Sequence, residues 1–270
     1  DKDSKIQFFP HEHIYLYNGR EQMVPVSNVI AYFFRPFKSD YWSDYKARQR
    51  GVPQGLVLEE WDAKGMKSRE VGTFMHKQIE LSYKGKQYQT VYLFKYTGKY
   101  IQNEENVKID AEYQQFVEFR KNHRFKPFKT EWAVYDAELK IAGTIDMINQ
   151  QEENVYDIYD WKRSHRIVYS DGTPITHNNF DERGIRGLEG VEDTSYWHYC
   201  LQQNLYRYIL EKNYGIKVGK MYLVVFIDDM PEYTKLEVPR MDNELGIIIR
   251  ACQNGDVRKY FEADMEYVTE

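Results

Sequence analysis

Between positions 143 and 162 the chain reads GTIDMINQQEENVYDIYDWK. Asp146 ends one run of β-forming residues, Asp160 ends the next, and Lys162 follows two positions later. Alternate residues of a strand share a face, so Asp160 and Lys162 project together. An antiparallel neighbour would carry Asp146 to the same place. Two carboxylates and an ammonium at one sheet end suit a hard divalent cation, Mg2+ or Mn2+, with a polarised water, because oxygen ligands select such ions. The lysine could orient the attacking water and stabilise a pentavalent phosphoryl transition state. A D-x-K triplet alone is common on protein surfaces, so the neighbouring residues decide how it is read.

Other groups have compatible spacings. His76 and Glu80 lie four residues apart in a segment where Val71, Phe74, Met75, Ile79 and Leu81 form a helical stripe, so both can face one site. Gln202 and Tyr206 repeat that spacing further on. Arg120, Lys121, Arg124, Lys126 and Lys129 form one basic cluster; Arg163, His165 and Arg166 form another beside Lys162. Such cations contact phosphates and give affinity without reading sequence. Tyr169, Phe180 and Trp197 offer rings on which unpaired bases could stack, with core packing the competing role for Trp197. Glu131 is a further carboxylate whose expected role is solvation at a strand edge. His11 and His13 alternate in a strand and are an outside candidate for metal.

These residues need elements to hold them. Residues 6–17 read as a strand or hairpin before an Asn18-Gly19 turn. Ser27 is the expected N-cap of a helix over VIAYFF. Helices are expected over 40–50, 55–65, 70–84 and 104–123, and Gly51 should end the first of these. Residues 130–136, 140–149 and 154–161 predict a three-stranded meander. Residues 164–195 predict a long loop, too polar and Gly-rich to join a core, bordering a nucleic-acid channel. A helix over 196–213, a strand over 221–227 and helices over 241–252 and 255–263 complete the chain. No repeat or linker is evident. One α/β domain over 1–270 is expected, with an N-terminal extension over 1–69, a catalytic core over 70–230 and a C-terminal helical tail over 231–270.

Composition narrows the classes. With 270 residues, 42% hydrophobic and 29% charged, the chain is an ordinary soluble globular type. No run approaches the ~20 apolar residues of a membrane span, and no secretory leader is evident, so an intracellular, cytoplasmic setting is expected. The two cysteines, Cys200 and Cys252, exclude a disulfide scaffold, a four-cysteine zinc site and a four-cysteine iron–sulfur cluster. A net charge of -5 argues against a protein that coats nucleic acid, while leaving room for a local basic groove.

The ordered set resembles the RecB-like branch of the PD-(D/E)XK nuclease superfamily. The resemblance rests on Gly72 to His76 with Glu80, GTID at 143–146, DWK at 160–162 and QQNLY at 202–206. Phage and viral nucleases of this branch are most similar around WHYCLQQNLYRYILEKNYG, and the mitochondrial genome-maintenance exonucleases more distantly. The resemblance implies a restriction-endonuclease-like α/β core, a mixed central sheet flanked by helices. It implies His76, Asp146, Asp160 and the carbonyl of Trp161 as ligands of Mg2+ or Mn2+, and Lys162 as the catalytic lysine. Gln202 and Tyr206 would position the lysine or the scissile phosphate, and Glu80 could hold a second metal. The implied activity is a DNA exonuclease on single strands or ends, with phage- or virus-linked replication or recombination proteins as possible partners. A structure-specific endonuclease, an RNA endonuclease and a noncatalytic nucleic-acid-binding domain are the alternatives.

Overall fold

The computed structural model describes residues 2–10 and 12–268. In chain order the elements are β1 (Ile6–Phe9), β2 (Ile14–Tyr17), β3 (Glu21–Pro25), α1 (Val26–Ala31), α2 (Ser39–Arg50), α3 (Gln54–Tyr83), β4 (Val91–Thr97), β5 (Gln102–Lys108) and α4 (Asp110–Asn122). They continue with β6 (Pro127–Asp136), β7 (Ile141–Glu152), β8 (Val155–Lys162), α5 (Ser195–Asn213), β9 (Lys217–Val225), β10 (Thr234–Glu237), α6 (Asp242–Gln253) and α7 (Asp256–Val268). Contacts group these into two compact units, one of Asp1–Arg35, Arg124–Val225 and Thr234–Glu270, the other of Pro36–His123 and Phe226–Tyr233.

The first unit is built on an eight-stranded mixed sheet in the order β1-β2-β3-β7-β8-β9-β10, with β6 on the other edge of β7. The pairs are antiparallel except β3 with β7 and β8 with β9. The expected meander is β6, β7 and β8, and its apolar runs are buried: Val134, Ile145, Met147, Ile148 and Ile158 have almost no exposed surface. Sheets covered on both faces need such continuous apolar strands. Helix α5 connects the parallel pair β8 and β9 and packs on β6 and β9. Residues 6–25, expected as part of an extension, supply three strands of the same sheet. Ser27 lies inside α1 rather than capping it; Pro25 precedes the helix, with extended backbone. That placement follows from the fixed φ of proline, which starts a helix well and cannot continue one.

The second unit holds α2, α3, α4 and the β4–β5 hairpin. Gly51 ends α2 as expected, in the left-handed conformation at φ 64. Helix α3 is one element of 30 residues where two helices were expected. Gly65 and Gly72 cost about 1 kcal/mol each against alanine without breaking it, since Val57, Val71, Met75 and Ile79 bury its apolar stripe. The helix expected over 104–123 begins only at Asp110. Residues 102–108 pair in full register with 91–97, and the Glu59 carboxylate accepts the backbone N–H groups of Lys99, Tyr100 and Ile101 at the turn.

The 164–195 segment is more ordered than its composition implies. Ile167, Val168, Leu188 and Val191 are buried, so four apolar anchors join the core of a stretch expected to contribute none. Short bridges pair Val168 with Pro174 and Arg183 with Glu192. Among the described residues no helix is long and apolar enough to cross a membrane.

Candidate active site

The acids and the lysine of the first unit meet where β7 and β8 part. Their backbone pairing runs from Glu152↔Val155 to Met147↔Tyr159 and stops there. One further step would oppose Asp146 and Asp160. At that point the Trp161 N–H donates to Asp146 Oδ2 at 2.7 Å, so a carboxylate takes the place of a backbone carbonyl. Strand β8 keeps its ladder to β9 as far as Lys162↔Val225, which fixes Asp160 and Lys162 from the other side. Asp146 is 7% and Asp160 3% exposed.

Buried carboxylates need partners or a cation. Lys162 Nζ lies 2.6 Å from Asp160 Oδ2 and 4.2 Å from the centroid of the Tyr199 ring. Burial works against the lysine charge, yet Asp160, Tyr199 and Asp146 outweigh it and raise the pKa. Beside these acids the side chain is favoured as an ammonium, able to donate hydrogen bonds and stabilise negative charge.

Glu131 belongs to this corner. The β6–β7 register passes from Thr130↔Met147 to Trp132↔Ile145, which sets Glu131 across from Asp146. Carboxylate oxygens of the two lie within 4.8 Å of each other. Glu131 also holds φ 47 in mid-strand, a left-handed conformation costly for a non-glycine residue and concentrated at functional sites. The expected solvation at a strand edge does not describe it: the side chain is half-buried. The signal was the β6–β7 hairpin register, which pairs 131 with 146 only once its turn is placed. Carboxylate oxygens are the donor type a hard divalent cation takes, and those of Asp146 and Glu131 are close enough to share one, while the Asp160 carboxylate is engaged by Lys162 beside them.

One stripe of α5 faces this corner. Thr194 Oγ1 accepts the Trp197 N–H and caps the helix. Tyr199, Gln202 and Tyr206 then follow at spacings of three and four, which places them on one face. Gln202 Nε2 donates to Tyr206 Oη at 3.2 Å, so the expected pair does meet. A Cβ built on Gly143 would stand 2.6 Å from Tyr206 Cε1, so this glycine is what lets the ring lie against β7. Burial first, then the charges of Tyr15, Asp160 and Asp146, raise the Tyr206 pKa well above its ordinary value, leaving a neutral phenol. Tyr15 and Thr144 were not anticipated. Tyr15 Oη and Thr144 Oγ1 are 3.0 Å apart, and burial together with Glu131 and Asp146 pushes the Tyr15 pKa up to about 12.

The remaining expected residues fare unevenly. His76 is half-buried on α3 of the second unit. Glu80 is committed within its own helix: Lys77 Nζ lies 2.7 Å from one carboxylate oxygen and Lys84 contacts the other. Any cation at Glu80 would have to displace these two lysines. Arg120 donates to Ser82 O and Oγ and stacks on the Tyr83 ring. Lys121 pairs with Glu118 at 2.6 Å, and Lys129 pairs with Asp3. Arg124, Lys126 and Arg166 are exposed and Arg163 is half-buried. His13 packs edge-on to the Phe8 and Tyr15 rings, and His11 lies outside the described residues.

Comparison with known proteins gives one strong match. A family model described as the PD-(D/E)XK nuclease superfamily matches residues 45–244. No curated protein matches the chain. Similar solved structures include a candidate exonuclease from Eubacterium rectale, at 14% identity and TM-score 0.33, covering 54% of this chain and 51% of that one. The chain thus spans about half the length of that neighbour. The protein SSO0001 matches at 12% identity and TM-score 0.31, covering 85% of this chain and 74% of its own. The family match runs through all four motifs that carried the resemblance, and the chain belongs to the PD-(D/E)XK nuclease superfamily.

Proposed function

We propose that the protein is a divalent-metal-dependent DNA nuclease of the RecB-like branch, an exonuclease acting on single strands or DNA ends. The observation that supports this most is the buried corner of Asp146, Asp160 and Lys162, with the lysine held as an ammonium beside the acids. Asp146, Asp160 and Glu131, with the carbonyl of Trp161, would hold Mg2+ or Mn2+. His76 keeps the ligand role that the resemblance gives it. A bound ion supplies charge that neutralises the scissile phosphate and polarises the attacking water. Lys162 donates to the water or to a phosphate oxygen as negative charge grows there. Asp160 keeps that ammonium in place. Gln202 and Tyr206 fix the helix face behind it. Arg124, Lys126, Arg163 and Arg166 are offered as phosphate contacts. The preference for ends and for single strands, and a phage- or virus-linked role beside replication or recombination proteins, rest on the resemblance alone.

A substrate panel tests this reading. Linear single-stranded DNA, circular single-stranded DNA, blunt duplex and RNA are incubated with Mg2+ or Mn2+. The proposal expects nucleotides released from linear DNA and an intact circle. A cut circle indicates an endonuclease, and cleavage confined to RNA indicates a ribonuclease. Binding with no cleavage of any substrate leaves a noncatalytic module.

A further inference from the structure

Phe180 is 78% exposed, the most exposed large apolar side chain among the described residues. A single exposed apolar residue is ordinary on its own. What sets Phe180 apart is that the chain around it is fastened down while the ring is held out. The Phe180 N–H donates to Asn178 Oδ1 at 2.7 Å, and Asn178 Nδ2 donates to the Asp193 carbonyl at 2.7 Å. The Asn178 N–H reaches Glu192 Oε2 at 3.1 Å, and the Asp193 N–H reaches the Glu182 carbonyl at 2.9 Å. Arg183 Nη2 closes the far side on Glu192 Oε1 at 2.6 Å. Asp181, next to the ring, takes φ 52, so the tip holds a defined turn. These bonds fix the backbone of the tip, and the ring projects from it into solvent.

The location of the tip follows from the same bonds. Residues 178–182 are tied to 192–193, immediately before α5 begins at Ser195. Trp197, in the first turn of α5, donates from Nε1 to the Thr176 carbonyl at 3.0 Å. Two residues on, the Tyr199 ring receives the Lys162 ammonium. At 1.5 Å of rise per residue, Ser195 and Tyr199 are separated by about 6 Å along the helix. These ties place the tip beside the start of α5, the end of the helix on which Tyr199 meets Lys162. Arg163 and Arg166 leave β8 just past Lys162 and can meet phosphates there.

We infer that Phe180 is a substrate-stacking residue, a fixed ring against which an unpaired base of single-stranded nucleic acid lies near Lys162. Every base has a π-face, so such a platform accepts any sequence and favours unpaired over paired strands. The inference rests on the proposed nuclease function and adds to it a contact that selects single strands.

The test uses the full chain with Ca2+ as a non-catalytic stand-in for Mg2+, and a single-stranded oligonucleotide carrying 2-aminopurine. Wild type and Phe180→Trp should quench the probe. Phe180→Ala and Phe180→Leu should lose the quench and bind about 5- to 150-fold more weakly. Thermal melting of all four should coincide, as expected for a solvent-facing position. Wild-type affinity in Phe180→Ala would overturn the inference. Equal binding by Phe180→Leu would do the same, since it marks a generic apolar contact of the kind a protein partner makes. A wild type that binds no nucleic acid removes the nuclease reading together with this inference. A wild type that binds and cleaves, matched throughout by Phe180→Ala, removes this inference alone.

Discussion

Replacing Gly143 by alanine tests whether Tyr206 is wedged against β7. The new Cβ would stand 2.6 Å from Tyr206 Cε1, 2.8 Å from Oη and 3.1 Å from Cζ. Carbon atoms rest at about 3.5–4.0 Å, so the ring must retreat by about 1 Å. It has little room, being 3% exposed, and its hydroxyl is held by Gln202. The penalty is steric, since Gly143 is not among the glycines with positive φ. Overpacking of this kind costs about 1–3 kcal/mol. Tyr206→Ala alone should cost about 3–5 kcal/mol, as for other large rings. In the double variant the methyl enters the space the ring has left, so the two penalties should fall short of their sum by about 1–3 kcal/mol. Denaturant unfolding of the four proteins measures this directly. Gly143→Ala within about 0.5 kcal/mol of wild type, or additive penalties in the double variant, would refute the wedge.

Three other outcomes follow from the structure. Lys162→Met strands the buried Asp160 carboxylate and should cost about 3–5 kcal/mol together with activity; adding Asp160→Asn should restore part of that stability in the same unfolding assay. Glu80→Gln should leave Mn2+ affinity, read by calorimetry, at the wild-type value, because its carboxylate is already held by Lys77 and Lys84. Burial pushes the thiols of Cys200 and Cys252 up to about 12, so a thiol reagent at neutral pH should label neither until denaturant is added. Their folded pKa values lie above the ordinary 9.0, so the unfolded chain loses these protons first. Their contribution to stability is therefore intact below pH 9 and declines as the pH rises from about 9 toward 12.

The meander and its D-x-K end were legible because buried strands write continuous apolar runs and strand alternation fixes which residues share a face. The Gln202–Tyr206 pair was legible for the equivalent reason on a helix. Strand β5 was not: QNEENVK is polar at nearly every position, because most of its side chains are exposed. Its pairing with β4 has no apolar periodicity to announce it. Helix α3 was divided between Gly65 and Glu70, where local pattern does not show the buried stripe that carries the helix through. Glu131 and Tyr15 depend on which strands lie side by side. Tyr15 meets Thr144 across 129 positions of chain, a neighbourhood set by tertiary pairing that no local pattern encodes. The anchors of the 164–195 segment were hidden similarly, as four apolar residues scattered through a polar stretch.

The most direct test of the central claim is the rate of nucleotide release from end-labelled single-stranded DNA in Mn2+, compared between wild type and Asp160→Asn prepared in parallel. The exchange of one carboxylate oxygen for an amide leaves volume nearly unchanged and removes a negative donor beside Lys162. Wild type should release nucleotides and EDTA should arrest it, and release should fall about a hundredfold or more in Asp160→Asn, assayed at a temperature where circular dichroism shows the variant still folded. Release by Asp160→Asn within about threefold of wild type, or undiminished wild-type release in EDTA, would contradict it.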